Sequence, residues 1–538
     1  MSAAGFPHWV LLEPFVFRRD DDESFPDESS APIRASATTS WGAVFRIAFD
    51  LADPPLISRL YAHLPEPGFL GPDKATPLAI LATHRHLALL RVATETPVLG
   101  TVQDFYIYNA ENPSSLELLP PCTEPDIDYA RGDRRIPRRG TTPAKEGAPA
   151  RQRMLAVRSM GLLCRGGGEF AVAELKLFKL SNTVHADICC FKSAAGLGKW
   201  DSNRVPILHS DNPDDFRQLT LWQTDAVIPS DRWLCWIDYY RGILFCDLFG
   251  GPTPTVSFIR FPLEEFPSTH NRSIASSWLY RGVSVIDAGS VLKFVDVARD
   301  DDIGYGALEP GASFTITCHT LPLGSMALKN RLGSTVWNKD AVGRMLWNKD
   351  STVTSTQLWS TYPSDGLPRG IPMFPQVNIA RPHLVHFLLI EFGCALKKMW
   401  LVTINMNTKT VESFSPLIKG MEDRGKVDFD LTQERSICPK RFIPCELSRY
   451  LNSSSLLLAV LLLSHLSGRL SPSATSPRHA SYSCSTRFLG RRSCKSARTW
   501  ALRRQPPLAD RCRHRRFTCA SADELHCFLV LRPSPSLC

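Results

Sequence analysis

Between Met154 and about Phe414 the chain repeats one pattern: a short run of alternating apolar and polar side chains, closed by turn residues. Such runs fall at Phe170–Leu177, Asp187–Phe191, Ala226–Ile228, Trp233–Asp238, Ile243–Leu248, Thr255–Phe261, Trp278–Ile286, Val291–Val297 and Ser313–Thr317. Others follow at Gln357–Trp359, His383–Glu391, Met399–Asn405 and Thr410–Phe414. Gly166-Gly167-Gly168, Gly250-Gly251-Pro252 and Glu309-Pro310-Gly311 punctuate them, and Met406-Asn407-Thr408-Lys409 fits the turn of a hairpin. Period-two alternation sends successive side chains to opposite faces of a strand, and turns roughly every ten residues leave little room for long helices. The spacing predicts a mainly β chain with a β-propeller-like or otherwise closed multi-sheet architecture.

The flanks read differently. Residues 1–122 form the N-terminal segment of the β body, with apolar stretches at Val44–Phe49, Leu78–Ile80 and Leu87–Val92 and the alternating run Val102–Tyr108. Residues 123–153, rich in Pro, Gly and Arg with few large apolar side chains, are expected to be an exposed loop or linker ahead of the main β region, 154–451. After Leu451 the chain becomes Ser-, Arg- and Cys-rich without helical or strand periodicity, so 452–538 read as a basic, low-complexity tail that is disordered or non-native.

Charge follows the same division. The net +9 is concentrated in 452–538, where 14 Lys and Arg face three acids, leaving residues 1–451 near neutral at −2. The body therefore lacks the basic balance of a nucleic-acid binder. The tail run Arg511–Arg516 supports only weak, counterion-driven binding or nuclear import, and no specific nucleic acid is expected as a partner. No membrane role is expected either, since the longest apolar run, Leu456–Leu463, has eight residues where a helical span needs about 20. The N-terminal stretch has no basic region ahead of its apolar run, and the 16 cysteines include no CxxC pair, which reads as reduced thiols in the cytoplasm or nucleus.

The densest signal is Trp233–Leu248. On a strand, Trp233, Cys235 and Ile237 share one face and Leu234, Trp236 and Asp238 the other; Arg241-Gly242 supplies a turn, and Ile243–Leu248 returns. Both faces carry bulk, as expected of a strand pair buried inside a stack of sheets, with Asp238 and Asp247 placed to accept turn amides or pair with Arg241. The string Trp236–Asp247, with Met160–Cys164, Glu169–Leu175, Trp222 and Asp225–Pro229, resembles the plant domain of unknown function 1618 family, abundant in grasses. Looser agreement runs through Phe105–Tyr108, Phe258–Leu263, Lys293–Val295, Pro382–Phe387 and Cys445–Leu451. The resemblance implies no known activity, and the family's sequence habits are similar to the propeller-like modules that follow F-boxes in plant ubiquitin-ligase adaptors.

No motif in the sequence carries a recognised chemistry. Ser193–Trp200 ends in Gly-Lys but lacks the first glycine and the hydroxyl residue of a phosphate loop, and Gly166–Gly168 precedes a strand where anion binding would need a helix. His84 with His86, and His383 with His386, find no third ligand, and the adjacent Cys189 and Cys190 cannot both turn inward. Asp300-Asp301-Asp302 lacks the rest of a calcium loop, while Arg131-Gly132-Asp133 and Asn271-Arg272-Ser273 read as chance tripeptides. The repeated Trp337–Asp340 and Trp347–Asp350 read as a local duplication in a loop. No catalytic, cofactor-binding or metal residue is assigned, and no cofactor is expected. The sequence points to a non-catalytic protein-interaction scaffold with an unidentified protein partner. The alternatives are a hydrolase-like enzyme whose site assembles only in three dimensions, or the substrate-recognition module of a ubiquitin-ligase assembly.

Overall fold

In the computed structural model Trp233–Asp238 pairs antiparallel with Gly242–Asp247, and every residue of both strands is buried. The expected alternation holds: Trp233, Cys235 and Ile237 enter one apolar cluster, Leu234 and Trp236 the cluster on the opposite face. At the turn, Gly242 is required, because a Cβ there would lie 2.1 Å from the carbonyl oxygen of Ile259. The chain divides into two units, Met1–Leu457 and Leu458–Cys538. The structure describes residues 6–451 except 70–76, 97–99, 115, 125–150, 167, 181–182, 194–199, 210–212, 252, 264–276, 302–305, 324–327, 330–334, 337–345, 361–365, 392–397 and 419–440. The tail reading for 452–538 lies outside these residues.

The first unit is mainly β, as expected, and among the described residues, apart from two short two-stranded ribbons, its strands form six groups in chain order, the third and fourth being halves of one eight-stranded sheet. The second sheet is Leu78–His84, Leu87–Thr96, Gly100–Asn109 and Leu116–Leu118. The third, Met160–Gly166, Glu169–Leu180, Thr183–Lys192 and Trp200–Leu208, joins the fourth along their last strands through the parallel pairs Ile207 with Val256 and Leu208 with Ser257. The fourth comprises Ala226–Ser230, Trp233–Asp238, Gly242–Asp247 and Thr255–Arg260. Arg281–Ile286, Val291–Arg299, Phe314–Pro322 and Asn348–Thr354 make the fifth, and Met373–Val377, Leu384–Glu391, Lys398–Asn405 and Thr410–Ile418 the sixth.

The first sheet draws on both ends of the body. Its order is Ile33–Thr38, Val44–Asp50, Ile57–His63, Val10–Arg18 and Ile443–Cys445, so a segment near residue 445 pairs antiparallel with the first strand of the chain, Val10 opposite Cys445. The inner strand of each sheet touches the inner strand of the next, from Ile443–Cys445 through Leu78, Met160, Ala226 and Arg281 to Met373. Arg441, just before Ile443, donates back to the carbonyl of Pro375 at 2.9 Å and closes the circuit. Between successive sheets lie separate apolar clusters, such as Phe45, Tyr106 and Tyr108 between the first and second, and Phe105, Leu162 and Cys189 between the second and third. The largest, around Phe314, Phe374, Phe387 and Phe17, joins the fifth, sixth and first. With a core between each pair, both faces are buried in inner and central strands such as Trp233–Asp238, Gly242–Asp247 and Leu384–Glu391, the arrangement that favours apolar residues at consecutive positions, while outer strands such as Leu116–Leu118 and Asn348–Thr354 stay largely exposed.

Antiparallel order fixes where the connections go. From the second sheet to the sixth the strands run as antiparallel meanders, so the inner strand starts at the end to which the outermost returns; the first sheet instead leads on from a middle strand, Ile57–His63, which runs parallel to Val10–Arg18 and so also ends where the inner strand, Ile443–Cys445, begins. We call this the entry end. The expected exposed stretch 123–153 is one of the between-sheet connections; its roots are ordered, with Thr123–Glu124 paired to Arg151–Gln152, and 125–150 lie outside the described residues.

Three segments depart from the pattern read in the sequence. Gln357–Trp359 is helical, part of Ser355–Ser360, because Thr354 and Gln357 form a capping box: Gln357 N–H donates to Thr354 Oγ1 (3.3 Å) and Thr354 N–H to Gln357 Oε1 (3.2 Å). Ser277–Tyr280 is a helical turn, so the run read from Trp278 becomes a strand only at Arg281. Trp347–Asp350 leads into the outer strand of the fifth sheet, where Trp347 packs on Phe261 and Phe294 and donates Nε1–H to Arg260 O (2.9 Å); its expected copy at 337–340 lies outside the described residues. A helix not read in the sequence, Pro213–Thr220, opens with proline and two aspartates, and Asp215 is clamped by Arg260 while Leu219 enters the core between the third and fourth sheets. The hairpin turn at Met406–Lys409 is as expected: Asn405 Oδ1 accepts the amides of Asn407 (3.1 Å) and Thr408 (3.2 Å).

Candidate functional site at the entry end

Polar side chains converge where the inner strands of the fourth, fifth and first sheets begin. The fourth sheet supplies two carboxylates, Asp225 immediately before its inner strand and Asp238 at the end of the next. Asp238 is held by four donors: Tyr240 N–H (3.0 Å) and Arg241 N–H (3.1 Å) on Oδ1, Gln223 N–H (2.8 Å) and Arg241 Nη1 (2.7 Å) on Oδ2. The pairing of Asp238 with Arg241 expected from the sequence is thus present; Asp247 instead pairs with Arg232 and accepts Phe249 N–H. Asp225 accepts one backbone donor, Tyr239 N–H at 2.8 Å.

Two arginines from other sheets complete the network. Arg281 donates to Asp296 Oδ1 (2.7 Å) and to the carbonyl of Tyr239 (2.8 Å). Arg441 donates to the carbonyls of Pro375, Trp278 (2.8 Å) and Arg281, while its guanidinium lies 4.5 Å from the centre of the Tyr239 ring. Gly282 makes room for it: a Cβ there would stand 2.1 Å from Pro375 O and 3.0 Å from Arg441 Nη1. A guanidinium over an aromatic face, with its N–H groups spent on carbonyls, keeps its charge deep in the protein.

The electrostatics separate the two acids. Asp225 is an exposed residue, yet the protein around its carboxyl costs it hydration, and this, reinforced by Asp238, pushes its pKa up to about 7 against the pull of Tyr239 N–H, Arg441 and Arg158. Burial also raises Asp238, with Arg241 opposing. The arrangement therefore presents one carboxyl that exchanges a proton near neutrality beside one fixed in a turn.

The residues singled out from sequence lie elsewhere and stay apart. His84 accepts the amide of Cys164 on Nδ1 (2.8 Å) and is pushed down to about 3, mainly by burial, whereas His86 faces Glu111 (3.8 Å) across the turn. Buried His386 is hydrogen-bonded to Asn378 and Thr403, and burial drives it down to about 4. Cys189 and Cys190 face different clusters, one on each side of the third sheet. Asp300 accepts Ser313 and Asp301 pairs with Arg299, a closed turn. Among the described residues no three His, Cys, Asp or Glu side chains gather as a metal site. Residues 131–133, 194–199, 271–273 and the tail lie outside the described residues. Sequence reasoning gave no role to Asp225, Arg281 or Arg441; Arg441 stands 160 residues from Arg281, whose carbonyl it binds, and carries no local motif.

Residues 236–386 match the family model described as "Protein of unknown function (DUF1618)". No curated protein matches the chain. Among solved structures, Kuenenia stuttgartiensis Hydrazine Synthase aligns at 11% identity over 72% of this chain and 80% of its own, with a TM-score of 0.28. A Niastella koreensis GH74 enzyme aligns at 9% identity over 70% of this chain and 47% of its own, with a TM-score of 0.21. Likenesses this distant carry no argument about fold or activity.

Proposed function

We propose that this chain, whose segment 236–386 belongs to the domain of unknown function 1618 family, is a non-catalytic protein-interaction scaffold of plants that receives a protein partner at the entry end of its ring. What supports the reading is the strand order, by which the described ends of the between-sheet connections fall at the end of the ring where the inner strands begin. Rigid sheets bearing clustered connections are how β architectures commonly present binding loops. Free, buried cysteines in the described body suit the reducing cytoplasm or nucleus. Proximity labelling in plant cells tests it, comparing the full chain with a version whose residues 125–150 are replaced by a Gly-Ser linker. The expected result is a reproducible partner set that the replacement depletes. A partner set unchanged by replacement, or none at all, overturns the reading. Recovery of ubiquitin-ligase subunits in that set would identify the scaffold as a substrate-recognition module.

One observation favours a second reading. Asp225, whose pKa is raised to about 7 by loss of hydration and by Asp238, would suit the role of general acid in a hydrolase-like site. Its test is an untargeted metabolite turnover assay with the purified protein, in which Asp225→Asn must abolish any conversion found; conversion unaffected by that change removes Asp225 from the chemistry.

A further inference from the structure

Cys122 and Cys189 are 67 residues apart in the chain, yet their sulfur atoms lie 3.6 Å from each other in the core between the second and third sheets. Cys122 stands at the root of the connection spanning 125–150: the next residues, Thr123–Glu124, pair with Arg151–Gln152, and Arg153 N–H donates to the Cys122 carbonyl at 2.8 Å. Two residues earlier, the carbonyl of Pro120 is gripped by Trp200 Nε1–H at 2.7 Å. Cys189 sits on the rigid strand Thr183–Lys192. The two thiols thus stand between a ribbon of two residue pairs and the third sheet. We propose that Cys122 and Cys189 form a redox staple, oxidised by a hydroperoxide to an intramolecular disulfide that fastens the root of this connection to the third sheet.

The geometry requires little. A disulfide has its sulfurs about 2.05 Å apart, so the pair must close by about 1.5 Å, within reach of side-chain rotation and a small backbone shift. Chemically, the Cys189 thiolate attacks one oxygen of the hydroperoxide, the O–O bond breaks, and Cys189 becomes a sulfenic acid as alkoxide or hydroxide leaves. The Cys122 sulfur then attacks Cys189 sulfur, the S–O bond breaks, and the departing hydroxide takes the Cys122 proton as water. Two electrons pass from the thiols to the peroxide. Cys189 is suited to the first step: the hydrogen bond with Cys122, helped by Ser202 and Arg153, lowers its pKa to about 7 against the effect of burial, while adjacent Cys190 is pushed up to about 12 by burial. Both sulfurs are buried, so attack waits on opening of the ribbon, whose short ladder makes that a local event.

The test uses the full chain. After exposure to hydrogen peroxide, quenching and proteolysis, mass spectrometry should find a peptide linking Cys122 to Cys189 that dithiothreitol releases, in parent and in Cys190→Ser alike. In Cys122→Ser, Cys189 should stop at the sulfenic acid and be labelled by dimedone. The melting temperature should rise by a few degrees on oxidation of the parent but not of Cys189→Ser. Peroxide that oxidises other cysteines while leaving Cys122 and Cys189 both open to alkylation would overturn the proposal, and the peptide map of the parent decides this even where a variant fails to fold.

Discussion

The guanidinium of Arg441 donates to the carbonyl of Pro375 at 2.9 Å, and this contact links the sixth sheet to the strand that completes the first. The same side chain serves Trp278 and Arg281, so its removal takes a donor from three carbonyl oxygens and leaves a void against Tyr239. Arg441→Ala should lower stability by about 3 kcal/mol or more, read as a shift in the urea midpoint. Arg441→Lys should recover only part of this, since an ammonium cannot reach divergent acceptors as a planar fork does.

Space around Gly282 makes a sharper demand. Gly282→Ala would press a methyl group onto Pro375 O and Arg441 and should cost about 2 kcal/mol. Gly251→Ala, where nothing lies within 4 Å of the added carbon, should change the melting temperature little. Equal effects in the two variants would show that the crowding at Gly282 is absent in solution.

Asp225 should make stability depend on pH in an unusual direction. Its folded pKa of about 7 lies above the ordinary 3.8, so between these values the folded state holds a proton that the unfolded state has lost. The contribution of this residue therefore declines as pH rises from about 4 to about 7 and is flat beyond. Urea midpoints of the parent minus those of Asp225→Asn should fall across that window; a difference that stays constant rejects the raised pKa.

Trp236 joins the central hairpin to the third sheet, its Nε1–H donating to the carbonyl of Ser159 at 2.7 Å from a fully buried position. Trp236→Phe should cost about 1–2 kcal/mol, mostly through the stranded carbonyl. Trp236→Ala should cost about 3–5 kcal/mol because it also opens a cavity. Chemical denaturation monitored by far-ultraviolet circular dichroism measures both.

What could be read in advance followed from local chemistry. Trp233–Asp238 was legible because bulky residues at consecutive positions admit a strand buried on both faces and little else, and the Asn405 turn because its side chain satisfies its own loop. Ser355–Ser360 escaped because Leu358 and Trp359 suit either a strand or a helix, and the deciding Thr354–Gln357 reciprocity lies in the caps. Ile443–Cys445 escaped for a different reason: three residues carry no periodicity, and their partner, Val10–Leu12, is more than 400 residues away. The entry-end network depends on that same long-range closure, so Arg441 had no neighbour in sequence to announce it.

The circuit is completed by one of the last segments of the body to be made. While a ribosome is still translating the first 440 residues, the strand beginning at Val10 has no companion on its inner edge, and the nascent chain carries that open hydrogen-bonding edge through most of its synthesis. Chaperone occupancy during translation should therefore persist until the codons for Arg441 to Cys445 have been read and their product has cleared the exit tunnel.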